Sequence, residues 1–169
     1  ELFASEGASV LFSDRSEEDC SDLCEALKRK GMETHYLAGD LRQKTYCEAL
    51  IAEAVLTYGG VDILINNAAT NPYFGSMLDA DEGAWDKTNE VNLKGPFFIT
   101  QHAARLMEVS HGGAIVNVAS INGVRPIPTQ GIYSITKAGL ISMTKVFAKE
   151  VAAKNIRVNA LLPGLTQTR

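Results

Sequence analysis

Short apolar runs alternate with stretches of helical periodicity along the whole chain. Residues 9–14 (SVLFSD), 33–38 (ETHYLA), 61–66 (VDILIN), 114–119 (AIVNVA) and 156–161 (IRVNAL) read as strands. Short, nearly continuous apolar runs of this kind suit strands buried on both faces. Between them the period changes to 3.6. Cys20, Leu23, Cys24 and Leu27 form one stripe, opened by Ser16 and Asp19 at capping-box spacing and closed by Gly31. Cys47, Leu50, Ile51, Ala54, Val55 and Tyr58 form a second, ending at Gly59 and Gly60. Residues 81–110 predict a long third helix that Pro96 kinks or breaks, and 132–154 a fourth. Strand and helix alternating in this way predict an α/β fold: a doubly wound parallel sheet with helices on both faces.

Composition narrows this further. The chain has 169 residues, which suits a single domain over 1–169. With 46% hydrophobic and 21% charged residues it sits near the globular average, so disorder and a disulfide scaffold are poor readings. A net charge of −4 without a basic cluster argues against nucleic acid as a partner. The apolar runs are too short to cross a bilayer, so no membrane role is expected. Three cysteines, sparse and odd in number, suit a reducing compartment and a cytoplasmic location.

The residues that carry chemistry gather at strand ends. Tyr133 and Lys137, four apart at the start of the fourth helix, fall on one helix face. A phenol is a poor base near neutrality, but a cation beside it favours the phenolate. Such a pair could give and take a proton at workable pH. Alone the spacing is a weak signal. Ser120, however, stands thirteen residues earlier at the end of 114–119, where parallel α/β sheets place their ligands. Asn66, Asn67, Ala68 and Ala69 end another strand, and Asn159, Pro163 and Gly164 finish the last. Asn92 lies within the third helix, where a poor helix former needs a reason to be.

Together these residues resemble the short-chain dehydrogenase/reductase family over essentially the whole chain. The family's Asn-Asn-Ala-Gly element is matched by 66–69, with Ala69 in place of the glycine, and its Asn-x-x-x-Pro-Gly ending by 159–164. The resemblance implies an incomplete Rossmann fold and hydride transfer between a nicotinamide cofactor and a small alcohol or carbonyl substrate. It assigns Tyr133 as proton donor and acceptor, with Lys137 lowering its pKa and holding the nicotinamide ribose. Ser120 would steady the substrate oxygen, and Asn92 would hold a water linking Lys137 to solvent. On the cofactor it implies contacts from Asp40 and Leu41 to the adenine, and from Asn67 and Ala68 to the adenine-side ribose. Pro163, Gly164, Thr166 and Thr168 would hold the nicotinamide amide. At the end of 9–14, Asp14 can accept both ribose hydroxyls of NAD and repel a 2′-phosphate, whereas Arg15 can pair with that phosphate. NAD is the expected cofactor, with NADP possible. The resemblance also implies a homodimer or homotetramer through the third and fourth helices.

Other residues take plainer readings. Cys20 and Cys24 read as core, and no cysteine or histidine spacing suggests a metal site. His35, His102 and His111 have no partner visible in the sequence, and Trp85 reads as packing. Tyr73 and Phe74 suit either a substrate pocket or loop packing.

The chain resembles an internal stretch of the family, without the glycine-rich phosphate turn near its start or the substrate lid near its end. The family's first strand lies between those matching 9–14 and 61–66. The expectation is therefore a parallel pair, 9–14 with 33–38, separate from a three-stranded piece. Open edges and exposed apolar faces would leave the isolated chain insoluble or molten, without measurable NADH binding. The alternative to an enzyme is a truncated, inactive chain with at most a partner-binding role.

Overall fold

The computed structural model describes residues 1–166, and these fall into two compact units that divide between Val61 and Asp62. After a short α1 (Leu2–Ser5), the first unit pairs β1 (Val10–Phe12) in parallel with β2 (Thr34–Tyr36), Val10 opposite Thr34. Backbone bonds continue past both strand ends: Leu37 N–H donates to the Phe12 carbonyl at 3.2 Å and Gly39 N–H to the Asp14 carbonyl at 2.9 Å. The intervening α2 (Glu17–Arg29) starts where Ser16 Oγ accepts the Asp19 N–H at 3.1 Å. Three acidic residues in its first turn and Lys28 and Arg29 in its last complement the helix dipole. It buries Cys20, Cys24 and Leu27 of the predicted stripe, while Leu23 is 46% exposed. The helix that follows β2, α3 (Lys44–Tyr58), buries Cys47, Ile51 and Ala54 and stops at Gly59, whose φ of 81° is left-handed.

The second unit is a three-stranded parallel sheet of β3 (Ile63–Asn66), β4 (Gly113–Val118) and β5 (Ile156–Leu161), with β4 in the centre. Asn66 stands opposite Asn117, and Ile115 opposite Val158. The helices α5 (Gly95–Val109) and α6 (Gly131–Val151) cover one face. Asn66 Nδ2 donates to Thr100 Oγ1 on α5 at 3.0 Å, and Asn117 Nδ2 to Thr144 Oγ1 on α6 at 2.8 Å. Ile63 and Ile65, which point to the other face of β3, are 58% and 38% exposed.

Two expectations meet the structure here. Strands β1 and β2 form a sheet of their own, and β1 does not pair with β3. The long third helix is interrupted, but ahead of the proline. It runs as α4 (Glu82–Asn89), a π turn over Glu90–Lys94, and then α5 with Pro96 in its first turn. There the missing proline N–H is tolerated, and Gly95 N–H reaches back five residues to the Glu90 carbonyl. One histidine departs from its reading: His35 Nε2 lies 2.9 Å from Glu53 Oε1, a strand-to-helix contact that local pattern does not reveal.

Candidate active site

Tyr133 and Lys137 lie one turn apart near the start of α6, with the Lys137 Nζ 5.5 Å from the Tyr133 ring centroid. The lysine side chain is among the most buried in the molecule, 2% exposed. Its ammonium donates to the Val118 carbonyl at 2.7 Å, at the end of β4. Burial disfavours the charged form and pulls its pKa down to about 8. An ammonium has three donors. Two remain without a protein partner among the described residues.

Ser120, two residues past the end of β4, caps a short 3₁₀ turn (Ile121–Gly123) by accepting the Asn122 N–H at 3.1 Å. Its own O–H proton is left to donate elsewhere. The turn lies directly on α6: a Cβ on Gly123 would stand 2.8 Å from the Lys137 carbonyl carbon, so a side chain there would displace the turn from the helix. Ser120 and Tyr133 line one open cavity of about 610 Å³, together with Thr70, Asn71, Asn122, Gln130 and Gly164.

Asn92 is buried in the π turn, where its side chain clamps the loop after β3. Its Oδ1 accepts the Thr70 N–H at 2.7 Å, and its Nδ2 donates to the Thr70 carbonyl at 2.9 Å and to Thr136 Oγ1 at 3.1 Å. Thr136 Oγ1 in turn donates to the Tyr133 carbonyl at 2.8 Å. The amide therefore joins the loop after β3 to the turn of α6 that carries Tyr133.

In the first unit, Asp14 Oδ1 accepts the Arg15 and Ser16 N–H groups at 2.7 and 3.2 Å, which sets its carboxylate at the start of α2. Asp40 is gripped by its neighbour Arg42, whose Nε lies 2.8 Å from Oδ2; that guanidinium holds the Asp40 carboxyl below its ordinary range.

The site holds a buried cation and, among the described residues, a phenol without a hydrogen-bond partner and a serine O–H without an acceptor. The sequence matches the short chain dehydrogenase family over residues 1–169. The chain belongs to this family. It is 39% identical over 165 residues to the human dehydrogenase/reductase SDR family member 4, covering 98% of this chain and 59% of that protein. An NAD⁺-bound xylitol dehydrogenase superposes with a TM-score of 0.94 at 28% identity, over 98% of this chain and 64% of that one. A gluconate 5-dehydrogenase from Burkholderia cenocepacia in complex with NADP and tartrate gives 0.91 at 29%, again over 98% and 64%. The chain thus spans about three fifths of the length of the proteins it matches. Short-chain dehydrogenase/reductases are oxidoreductases that use NAD(P), and the α/β fold with parallel strands accords with that membership.

Within this short-chain dehydrogenase/reductase chain, the structure brings Ser120, Tyr133 and Gly164 to one cavity. Asn92 is placed behind it, not in its wall. Asn67, Ala68, Pro163 and Thr166 lie outside the described lining, and Thr168 lies outside the described residues. Tyr73 turns back on its own loop, donating to the Ser76 carbonyl at 2.7 Å, and Phe74 is 65% exposed; neither lines the cavity. Sequence reasoning missed Thr70, Thr136 and Asn117. For Thr136, its place beside Lys137 was the one available signal.

Proposed function

We propose that the complete enzyme transfers a hydride between a nicotinamide cofactor and a small alcohol or carbonyl, with Tyr133 handling the proton. The buried Lys137 ammonium carries this reading. Among the described residues its one hydrogen bond goes to the Val118 carbonyl, the Tyr133 ring centroid lies 5.5 Å away, and its two remaining donors fit the hydroxyls of a nicotinamide ribose. When bound, NAD(P) supplies or accepts the hydride. Tyr133 gives its phenolic proton to a carbonyl oxygen or takes one from an alcohol, and the adjacent cation stabilises the phenolate. The free O–H of Ser120 donates to the same substrate oxygen. Both side-chain donors of Asn92 are engaged, and Pro96 offers no N–H to the Asn92 carbonyl four residues back. That carbonyl is our choice for holding a water between Lys137 and solvent.

For the adenosine side we propose Asp14, Arg15, Asp40, Leu41, Asn67 and Ala68, and for the nicotinamide amide Pro163, Gly164, Thr166 and Thr168. The second oxygen of Asp14 suits ribose hydroxyls and repels a 2′-phosphate, which favours NAD; Arg15 keeps NADP as the second choice. We take 1–169 as one partial cofactor-binding domain, in a cytoplasmic protein, consistent with three buried cysteines outside any disulfide. A groove of about 730 Å³ between the π turn, α5 and α6 is lined by Leu93, Phe97, Met143, Val146 and Phe147. We assign it to a second copy of the enzyme, as a dimer or tetramer contact that light scattering would detect. The exposed Ile63 and Ile65 favour a second reading, a chain without dinucleotide binding that acts through a partner.

A panel of carbonyls with NADH and NADPH, run on the complete enzyme, separates the two readings. Turnover with NADH ahead of NADPH is expected. No turnover with either cofactor would overturn the proposal.

A further inference from the structure

The cavity beside Ser120 and Tyr133 has a mixed lining. Ile121, Ile127 and Leu165 are apolar, and Asn71, Asn122 and Gln130 polar. No Lys, Arg, Asp, Glu or His stands among its described lining residues. A carboxylate or phosphate entering it would lose water without gaining a counter-ion from the described lining. The polar lining residues are neutral, and two of them are already joined. Asn122 Nδ2 donates to Gln130 Oε1 at 3.0 Å, which ties the turn after β4 to the start of α6.

That bond leaves Asn122 Oδ1 and Gln130 Nε2 without partners among the described residues. One acceptor and several N–H donors are the complement of a hydroxyl group, which both gives and accepts. The pair stands close to the reacting oxygen's position, because the Asn122 N–H holds Ser120 Oγ at 3.1 Å within the same turn.

We propose that the Asn122–Gln130 amide pair binds a hydroxyl on the carbon next to the reacting one, so that the substrate is an uncharged vicinal diol or α-hydroxyketone. The inference rests on the oxidoreductase reading of this cavity. In the oxidative direction, the C–H hydride of one carbinol carbon goes to NAD(P)⁺, its O–H proton goes to the Tyr133 phenolate, and a C=O bond forms. The neighbouring C–OH stays intact, held by the amides.

The test compares acetoin, butan-2-one and pyruvate as substrates of the complete enzyme, with NADH and NADPH. One hydroxyl's hydrogen bonds correspond to about a tenfold preference or more in kcat/KM for acetoin over butan-2-one. Pyruvate should not compete. In Asn122→Leu and in Gln130→Leu, the acetoin preference should fall towards unity through KM. Saturation-transfer NMR should show weakened acetoin binding in the same variants. Equal use of acetoin and butan-2-one, a preference for pyruvate, or an unchanged ratio in both variants would overturn the inference while leaving the oxidoreductase reading standing. Absence of turnover with every carbonyl would instead bring down that reading, and this inference with it.

Discussion

In the first unit, Asp14 and Asp40 bond to backbone or guanidinium groups one or two residues away, partly open to water. In the second unit Asn66, Asn92, Asn117 and Lys137 are buried, and their bonds reach partners 19 to 51 residues away. Where local bonds face solvent, losing one exchanges it for water at little cost. A buried group left alone suffers its full desolvation, about 1–3 kcal/mol. Residues proposed for cofactor choice are therefore open to change, whereas the framework behind Ser120 and Tyr133 tolerates little.

The largest stability effect should come from the middle of the buried chain. Asn117 accepts from Asn66 and donates to Thr144. Asn117→Leu strands both partners and should lower the unfolding free energy of the complete enzyme by about 2–4 kcal/mol in chemical denaturation. A loss under about 0.5 kcal/mol would erase the contrast between the two units.

A smaller effect is read against pH. Folded Lys137 titrates at about 8 because burial disfavours its charge, while an unfolded lysine titrates near 10.4. Between those values the unfolded state binds more protons, so stability should rise with pH from about 8 to 10. Thermal melts of the complete apoenzyme should show that rise, and Lys137→Met should lack it. A wild-type curve that is flat or falls over that window, relative to the variant, would contradict the burial argument.

The smallest effect belongs to the first unit. Arg42→Ala removes the Asp40 ion pair, whose members are 40% and 22% exposed, and should shift stability by no more than about 1 kcal/mol. NADH affinity, measured by fluorescence, should change by a few-fold at most. A collapse of folding in this variant would mean that the region is as tightly determined as the second unit.

How much of this was legible in the sequence follows the same division. Tyr133, Lys137 and Ser120 stand out because a spacing of four and a strand end are local features. The α2 cap, three of the four positions of its stripe and the Gly59 stop were legible for the same reason. The π turn was not: one residue too many in a helix barely disturbs a 3.6 pattern, and Pro96 drew attention to the wrong turn. The Asn66–Asn117 pair depends on strand register, and the Asn92–Thr136 bond spans 44 residues. The strands of the first unit were read as six residues each, but only three pair in each. Beyond these three, backbone bonds from Leu37 and Gly39 carry the contact on to Phe12 and Asp14.

The central claim is that Tyr133 moves the proton while Lys137 and the cofactor sit beside it. Tyr133→Phe in the complete enzyme tests it with two readings on one sample: kcat, and NADH affinity by fluorescence titration. The account predicts a fall in kcat of at least about 10²–10⁴-fold, with NADH affinity close to that of the wild type. Retention of wild-type kcat with NADH bound would contradict it.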